Sequence, residues 1–216
     1  MSLFRLDASI RPEGSYSRAL ANIVEATWRE ENPDADVIRR DIGLHPLPST
    51  LWPLAVAARR TPEAERDEEQ RDAIAQATVL ADEVLNADSL LFAVPLYNFG
   101  VSQHFKAWVD VEITDPRLSP ASKALEGRPA VAVLVRGGAY GPGTPREGWD
   151  HSSGWIRRIL ADVWGLDLEV VELEFALVGV NPALDQFKEL AEQMRADAKV
   201  LAAERGHHLT HVAVTE

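Results

Sequence analysis

The sequence predicts a doubly wound α/β fold, five parallel strands in one sheet with helices on both faces. Segments with strand and helix patterning alternate along the whole chain. In addition, residues 89–94 (Ser-Leu-Leu-Phe-Ala-Val) and 129–135 (Pro-Ala-Val-Ala-Val-Leu-Val) are continuous apolar runs, the mark of strands buried on both faces of a parallel sheet. Parallel neighbours need right-handed crossovers, which the intervening helical segments supply. At 216 residues with 46% hydrophobic content the chain can bury one sizeable core, so one domain is expected.

Residues 3–8 read as the first strand, running into the turn-rich stretch 9–15. From Ser17, Leu20, Ile23, Val24 and Trp28 recur at helical spacing until Asn32-Pro33 stops the helix. Val37, Ile38 and Ile42 suggest the second strand. Residues 45–66 hold Pro46, Pro48, Pro53 and Pro62 and read as an irregular excursion that lines a pocket or a subunit contact. Residues 67–86 carry Ile74, Ala77, Leu80, Val84 and Leu85 at helical spacing, with acidic residues in the first turns where the helix dipole favours them. After the third strand at 89–94, a helix is expected over 102–111, the fourth strand over 129–135 and a helix over 153–164. The fifth strand follows over 168–177, and a terminal helix over 182–205 starts at Asn181-Pro182.

Composition narrows the function. The 22 Lys plus Arg against 34 Asp plus Glu give a net charge of −12, which repels nucleic acid and anionic membrane surfaces. Absence of cysteine removes disulfides, thiolate metal sites and thiol nucleophiles. Arg5 and Asp7 interrupt the first apolar stretch, unlike a signal peptide, and no segment approaches the roughly 18–20 apolar residues that span a bilayer. A soluble, cytoplasmic protein with no nucleic-acid or membrane partner is expected. The six tryptophans are expected in the core or at a subunit interface.

In an open parallel sheet, ligands bind beyond the carboxyl ends of the strands where the strand order reverses. For the order 2-1-3-4-5 this selects the loops after strands one, three and four. The first, Ser9-Ile-Arg-Pro-Glu-Gly-Ser-Tyr-Ser17, brings the hydroxyls of Ser9, Ser15 and Ser17 to the start of a helix, where free N–H groups favour an anion. Taken alone, it suits a phosphate or plain capping by Ser15 or Ser17 equally well. The second, Pro95-Leu-Tyr-Asn-Phe-Gly100, sets two aromatics and an amide after a buried strand, suited to the face and edge of a polar ring system or to plugging the sheet end. The third offers Arg136, a permanent charge, with Gly137 and Gly138 for close backbone approach. Tyr140 follows, at a mouth or on the surface.

These residues resemble a family. The segment Pro95-Leu-Tyr-Asn-Phe-Gly-Val-Ser-Gln-His-Phe-Lys-Ala-Trp-Val-Asp110 is similar to the PMYNF element and the SxQLKxWxD helix of the FMN-dependent NADH azoreductases, also described as NAD(P)H:quinone oxidoreductases of flavodoxin-like fold. Ser9, Ser15, Tyr16 and Ser17 match that family's phosphate-binding serine loop, and Arg136-Gly-Gly138 its SRGG loop. Asp150, Trp155-Ile-Arg157 and Gly165 fall where the family has D, YLR and FxG elements. The resemblance implies FMN as cofactor, held by Ser9, Ser15, Tyr16, Ser17, Pro95, Leu96, Tyr97, Asn98, Phe99, Arg136, Gly137 and Gly138. It implies NADH or NADPH as donor, and a homodimer with its active site at the interface. The reaction implied is a two-step, two-electron reduction of quinones, with azo compounds as further acceptors. The alternatives are an NAD(P)H:FMN reductase serving a monooxygenase and a non-enzymatic flavin-binding electron carrier.

Two departures stand out. Val135 replaces the serine of SRGG, removing a hydroxyl from the flavin site, and residues 111–128 lack the RxGxTF element, so a reshaped acceptor pocket is expected. No acid–base dyad or triad stands out, as expected where a flavin carries the chemistry. His207, His208 and His211 read as a solvated tail beyond a helix ending at Gly206, and Asp150 as a helix cap beside His151.

Overall fold

The computed structural model describes residues 1–210. Its strands are β1 (Ser2–Asp7), β2 (Asp36–Asp41), β3 (Ser89–Tyr97), the two-residue β4 (Gly100–Val101), β5 (Pro129–Val135) and β6 (Asp167–Leu173). The long strands run parallel in the order β2-β1-β3-β5-β6, and β4 folds back antiparallel on the end of β3. Counted without β4, this is the expected 2-1-3-4-5 arrangement.

Side chains alternate across the sheet, so each strand feeds two cores. Leu3, Leu91, Val131, Val133 and Val171 pack beneath α1 (Tyr16–Glu31) and α6 (Lys188–His208), against Leu20, Val24, Trp28, Ala198 and Ala202. Phe4, Leu6, Leu90, Phe92 and Leu134 face α2 (Leu51–Arg60), α3 (Glu68–Leu85), α4 (Gln103–Glu112) and α5 (Ser153–Arg157). On that second face Trp108 stacks near Phe4 at a centroid distance of 6.0 Å and meets Trp164 edge-on at 5.7 Å. Trp28, Trp108 and Trp164 are core residues as expected, whereas Trp52 and Trp149 are exposed.

Local chemistry explains the helix ends. Asp67 and Gln70 form a reciprocal capping box that starts α3. Residues 45–66 are not irregular throughout, since they contain α2. Pro53 lies in its first turn, where backbone N–H groups have no intrahelical partner, so the proline removes no hydrogen bond. Buried Ala55 and Ala58 then hold α2 in place.

Three further boundaries differ from the expectation. β6 ends at Leu173 because Phe175 takes a left-handed conformation (φ 55°) and turns the chain back. Beyond Arg157 the helix widens to a π-helical stretch, Arg158–Val163. α6 continues through Gly206 to His208. A Cβ on Gly206 would lie 2.6 Å from Thr27 Cβ, so this glycine lets α6 approach α1 and does not end the helix. His207 lies against Glu31, and His208 Nε2 is 3.2 Å from the Asp167 carbonyl; His211 lies outside the described residues. No helix among the described residues is long and apolar enough to cross a membrane.

Candidate active site

The loops after β1, β3 and β5 meet at the carboxyl edge of the sheet around a cavity of about 330 Å³. Its lining includes Ser9, Ser15, Tyr16, Ser17, Pro95, Leu96, Tyr97, Asn98, Phe99 and Gly137, which places most of the expected residues in one space.

The first loop presents hydroxyls at the start of α1. Ser15 caps that helix, accepting from Arg18 N at 3.4 Å, and its Oγ lies 3.2 Å from Ser17 Oγ. Capping and cavity lining therefore coexist in one residue. Arg18 fastens the loop by donating to the Ser9 carbonyl (2.7 Å) and to both oxygens of Asp41 on β2. Burial raises the Asp41 pKa, but Arg18 and the N–H groups of Leu44 and Gly43 outweigh it and hold the carboxyl below its ordinary range.

β3 does not stop at Pro95. It runs on to Tyr97 and turns through Asn98 (φ 48°) and Phe99 (φ 67°) into β4, pairing Tyr97 with Gly100. A two-residue hairpin loop with both residues left-handed is a type I′ turn, in which asparagine is common and a bulky second residue is strained. The turn sets the Phe99 ring, 38% exposed, at the cavity edge. The Tyr97 hydroxyl reaches back to the first loop, accepting from Ile10 N at 3.1 Å and lying 3.4 Å from Ser9 Oγ. His151 N donates to the Phe99 carbonyl at 3.0 Å, joining the second loop to the chain beyond the third.

The third loop is held by the turn after β6: Ala176 N, Leu177 N and Phe175 N donate to the carbonyls of Arg136, Gly137 and Gly138. A Cβ on Gly137 would lie 2.6 Å from Leu177 Cδ1, so glycine lets these segments close without displacing the Leu177 side chain. Among the described residues the N–H groups of Gly137 and Gly138 have no hydrogen-bond partner, which leaves them available to a ligand. Gly138 itself stands just outside the cavity lining.

Arg136 departs from the expectation. Its guanidinium is buried and turned away from the cavity, donating to Asp150 at 2.9 Å and to Glu172, with Glu174 at 3.7 Å. Burial lowers its pKa, but Glu172, Glu174 and Asp150 outweigh that and keep it charged. Burial likewise raises the Asp150 pKa, yet Ser153, the N–H groups of Ser153 and Ser152, and Arg136 bring it below the ordinary range. Asp150 thus caps α5 as expected while clamping Arg136. With three carboxylates around it, the charge braces the loop.

The lining also includes Arg11, Val135, Tyr140, Arg146, Ala176 and Leu177. Val135 gives the cavity wall a methyl surface. Arg146, Ala176 and Leu177 carried no signal in the sequence, because the turn after β6 and the fold of residues 141–149 bring them here. None of residues 111–128 lines the cavity. They pack at the amino end of β5, where Trp164 Nε1 donates to the Leu118 carbonyl at 3.1 Å.

The fit to FMN is chemical. One part of the cavity carries serine hydroxyls, a helix start and Arg11, suited to a phosphate, while another has apolar and aromatic walls with free backbone N–H groups, suited to a flavin ring. A family model described as Flavodoxin-like fold matches residues 1–198. The FMN-dependent NADH:quinone oxidoreductase of Frankia casuarinae is 39% identical over 203 residues, spanning 93% of this chain and 96% of that protein. The chain belongs to this flavodoxin-like oxidoreductase family. A second member, from Streptomyces avermitilis, is 33% identical over 96% of both chains. Solved structures share the fold: the azoreductase AzrA superposes with a TM-score of 0.78 at 19% identity, over 98% of this chain and 100% of that one. A Bacillus anthracis FMN-dependent NADH-azoreductase in complex with FMN does so at 0.70 and 13% identity, over 94% and 100%.

Proposed function

We propose that the protein is an FMN-dependent NAD(P)H:quinone oxidoreductase, catalysing the reaction of NAD(P)H, one proton and a quinone to NAD(P)⁺ and a hydroquinone. The observation that carries this reading is the convergence of Ser9, Ser15 and Ser17 with residues 95–99 and Gly137 on one cavity in a chain of that family. The chemistry supplied by FMN when bound is two-electron transfer from a reduced nicotinamide to an acceptor.

The chain's own residues bind and orient. Ser9, Ser15, Ser17 and the start of α1 hold the phosphate, and Tyr97 locks the first loop to the second. Leu96, Phe99 and Val135 cover ring surface and exclude water, while the N–H groups of Gly137 and Gly138 and the amide of Asn98 meet polar ring edges. Arg136 positions the third loop through Asp150, Glu172 and Glu174. No side chain is assigned a proton-transfer role, since the proton taken up by the quinone can come from solvent.

The same reading takes the chain as one domain working as a cytoplasmic homodimer with the active site at the subunit interface. The resemblance of residues 95–110 to the family supports that assembly, as do exposed Trp52 and Trp149. Steady-state oxidation of NADH or NADPH with menadione tests the reading. Turnover with parallel double-reciprocal lines is expected; FMN-loaded protein that fails to oxidise either nicotinamide would refute it.

A further inference from the structure

Two arginines in the cavity wall, Arg11 on the serine-loop side and Arg146 at the mouth, have no carboxylate partner among the described residues. Arg146 lines the cavity, with its guanidinium carbon 5.7 Å from the centroid of the Phe99 ring and Nη1 beside Gly138 of the third loop. In a chain of net charge −12 most arginines are held by carboxylates, Arg5, Arg18, Arg40, Arg117 and Arg136 among them. Arg146 has neither an ion pair nor a hydrogen bond from its side chain among the described residues.

The carboxylates of the adjoining loops, Glu147, Asp150 and Glu174, have partners of their own. Glu147 accepts from Gly143 N at 2.8 Å, within its own loop. Asp150 is taken by Arg136 and by the N–H groups that open α5. Glu174 accepts from Tyr140 N at 2.8 Å and faces Arg136. The positive charge is thus left open toward the cavity, beside an aromatic wall in which Phe99 meets Trp149 edge-on at 5.4 Å and Tyr140 at 6.3 Å.

An aromatic wall with a guanidinium at its edge suits a planar ring carrying an anionic substituent: the ring packs on the aromatics and the anion meets the fork of donors. The open position also matters for rate, because the overall negative field of the protein opposes an anionic acceptor and a local cation at the mouth reverses that field over a short range. We propose that Arg146 is a specificity-determining residue that selects aromatic electron acceptors bearing a carboxylate, sulfonate or ionised hydroxyl. This rests on the reading of the cavity as a quinone-reducing flavin site and names the acceptor class for it.

The test compares kcat/KM for 1,4-naphthoquinone-2-sulfonate with that for 1,4-naphthoquinone in the FMN-loaded wild type, R146Q and R146K. The ratio of the two, which cancels FMN loading and the nicotinamide step, is expected to fall about tenfold in R146Q, the loss of one charge-assisted contact. R146K, which keeps the charge but loses the planar fork, is expected to fall between wild type and R146Q. Rising ionic strength should lower the wild-type ratio relative to that of R146Q, in which only the repelling field of the chain is left to screen. A ratio unchanged in R146Q, or an R146K ratio as low as that of R146Q, would overturn the proposal. So would an effect of R146Q confined to the KM for NADH or NADPH, which would assign the charge to the dinucleotide phosphates. A wild type inactive on both quinones would instead refute the functional reading beneath it.

Discussion

The hydroxyl of Tyr97, at the end of β3, accepts a hydrogen bond from the backbone nitrogen of Ile10, beyond β1, at 3.1 Å. One side chain from the ring-facing loop thereby sets the backbone of the serine loop. Tyr97→Phe removes this acceptor and leaves Ile10 N without it, a loss of about 1 kcal/mol. FMN affinity measured by fluorescence titration is expected to weaken by up to about fivefold, with a fall in melting temperature of no more than about 2–4 °C. An unchanged dissociation constant would mean that the two loops are positioned independently.

Gly137 and Leu177 are matched in volume. Gly137→Ala places a methyl against Leu177 Cδ1 and Cγ, and Leu177, itself in the cavity wall, must move. FMN binding is expected to weaken by up to about tenfold, on the order of 1 kcal/mol because the exposed Leu177 side chain can give way, and Gly137→Ala with Leu177→Ala should recover much of it. Failure of the second substitution to rescue binding would show that the glycine serves a purpose other than packing.

Arg136 is expected to govern stability more than flavin chemistry. Arg136→Gln leaves Asp150, Glu172 and Glu174 without their shared cation. Because Glu172 is partly exposed, the cost is about 2–3 kcal/mol, a fall in melting temperature of roughly 4–10 °C. The flavin reduction potential, read by spectroelectrochemistry on FMN-loaded protein, should hardly move. A large potential shift with little loss of stability would restore the guanidinium to a direct role at the ring.

Glu112, at the end of α4, is fully buried, and neither carboxyl oxygen has a hydrogen-bond partner among the described residues. Burial raises its pKa well above the ordinary value, Glu83 and Asp115 raise it further, and Arg40 and Arg117 only partly oppose them. Above the ordinary carboxylate pKa of about 4.3, the unfolded chain loses this proton while the folded chain keeps it, so the contribution of Glu112 to stability falls as pH rises toward the raised pKa. Glu112→Gln, uncharged throughout, is expected to melt higher than wild type at pH 8, with the gap narrowing toward pH 5. Parallel melting curves across that range would show that Glu112 is ionised in the fold.

The sheet was legible because its signals are local. Residues 129–135 form β5 with the boundaries their apolar run suggests, and Ser15 caps α1 where its side chain implies, whereas Asn181 caps a 3-10 turn, Pro182–Phe187, and α6 begins only at Lys188. Much of the site was legible for the same reason, since residues 9–17 and 95–99 are contiguous and follow strands. What escaped was set by tertiary contact. The helix α2 is hidden behind Pro53, whose cost depends on its place in the first turn. The Arg136 guanidinium turns inward because β6 and the start of α5 bring carboxylates to it, and Arg146 reaches the mouth only through the fold of residues 141–149. Residues 111–128, expected to reshape the acceptor pocket, close the opposite end of the sheet and do not line the cavity of this chain.

The visible spectrum of the purified protein, titrated with FMN and freed of excess, shows whether the three loops hold the flavin. Flavin absorption bands at close to one FMN per chain, with quenching or a shift relative to free FMN, are predicted. Protein that remains colourless after incubation with FMN would contradict the account.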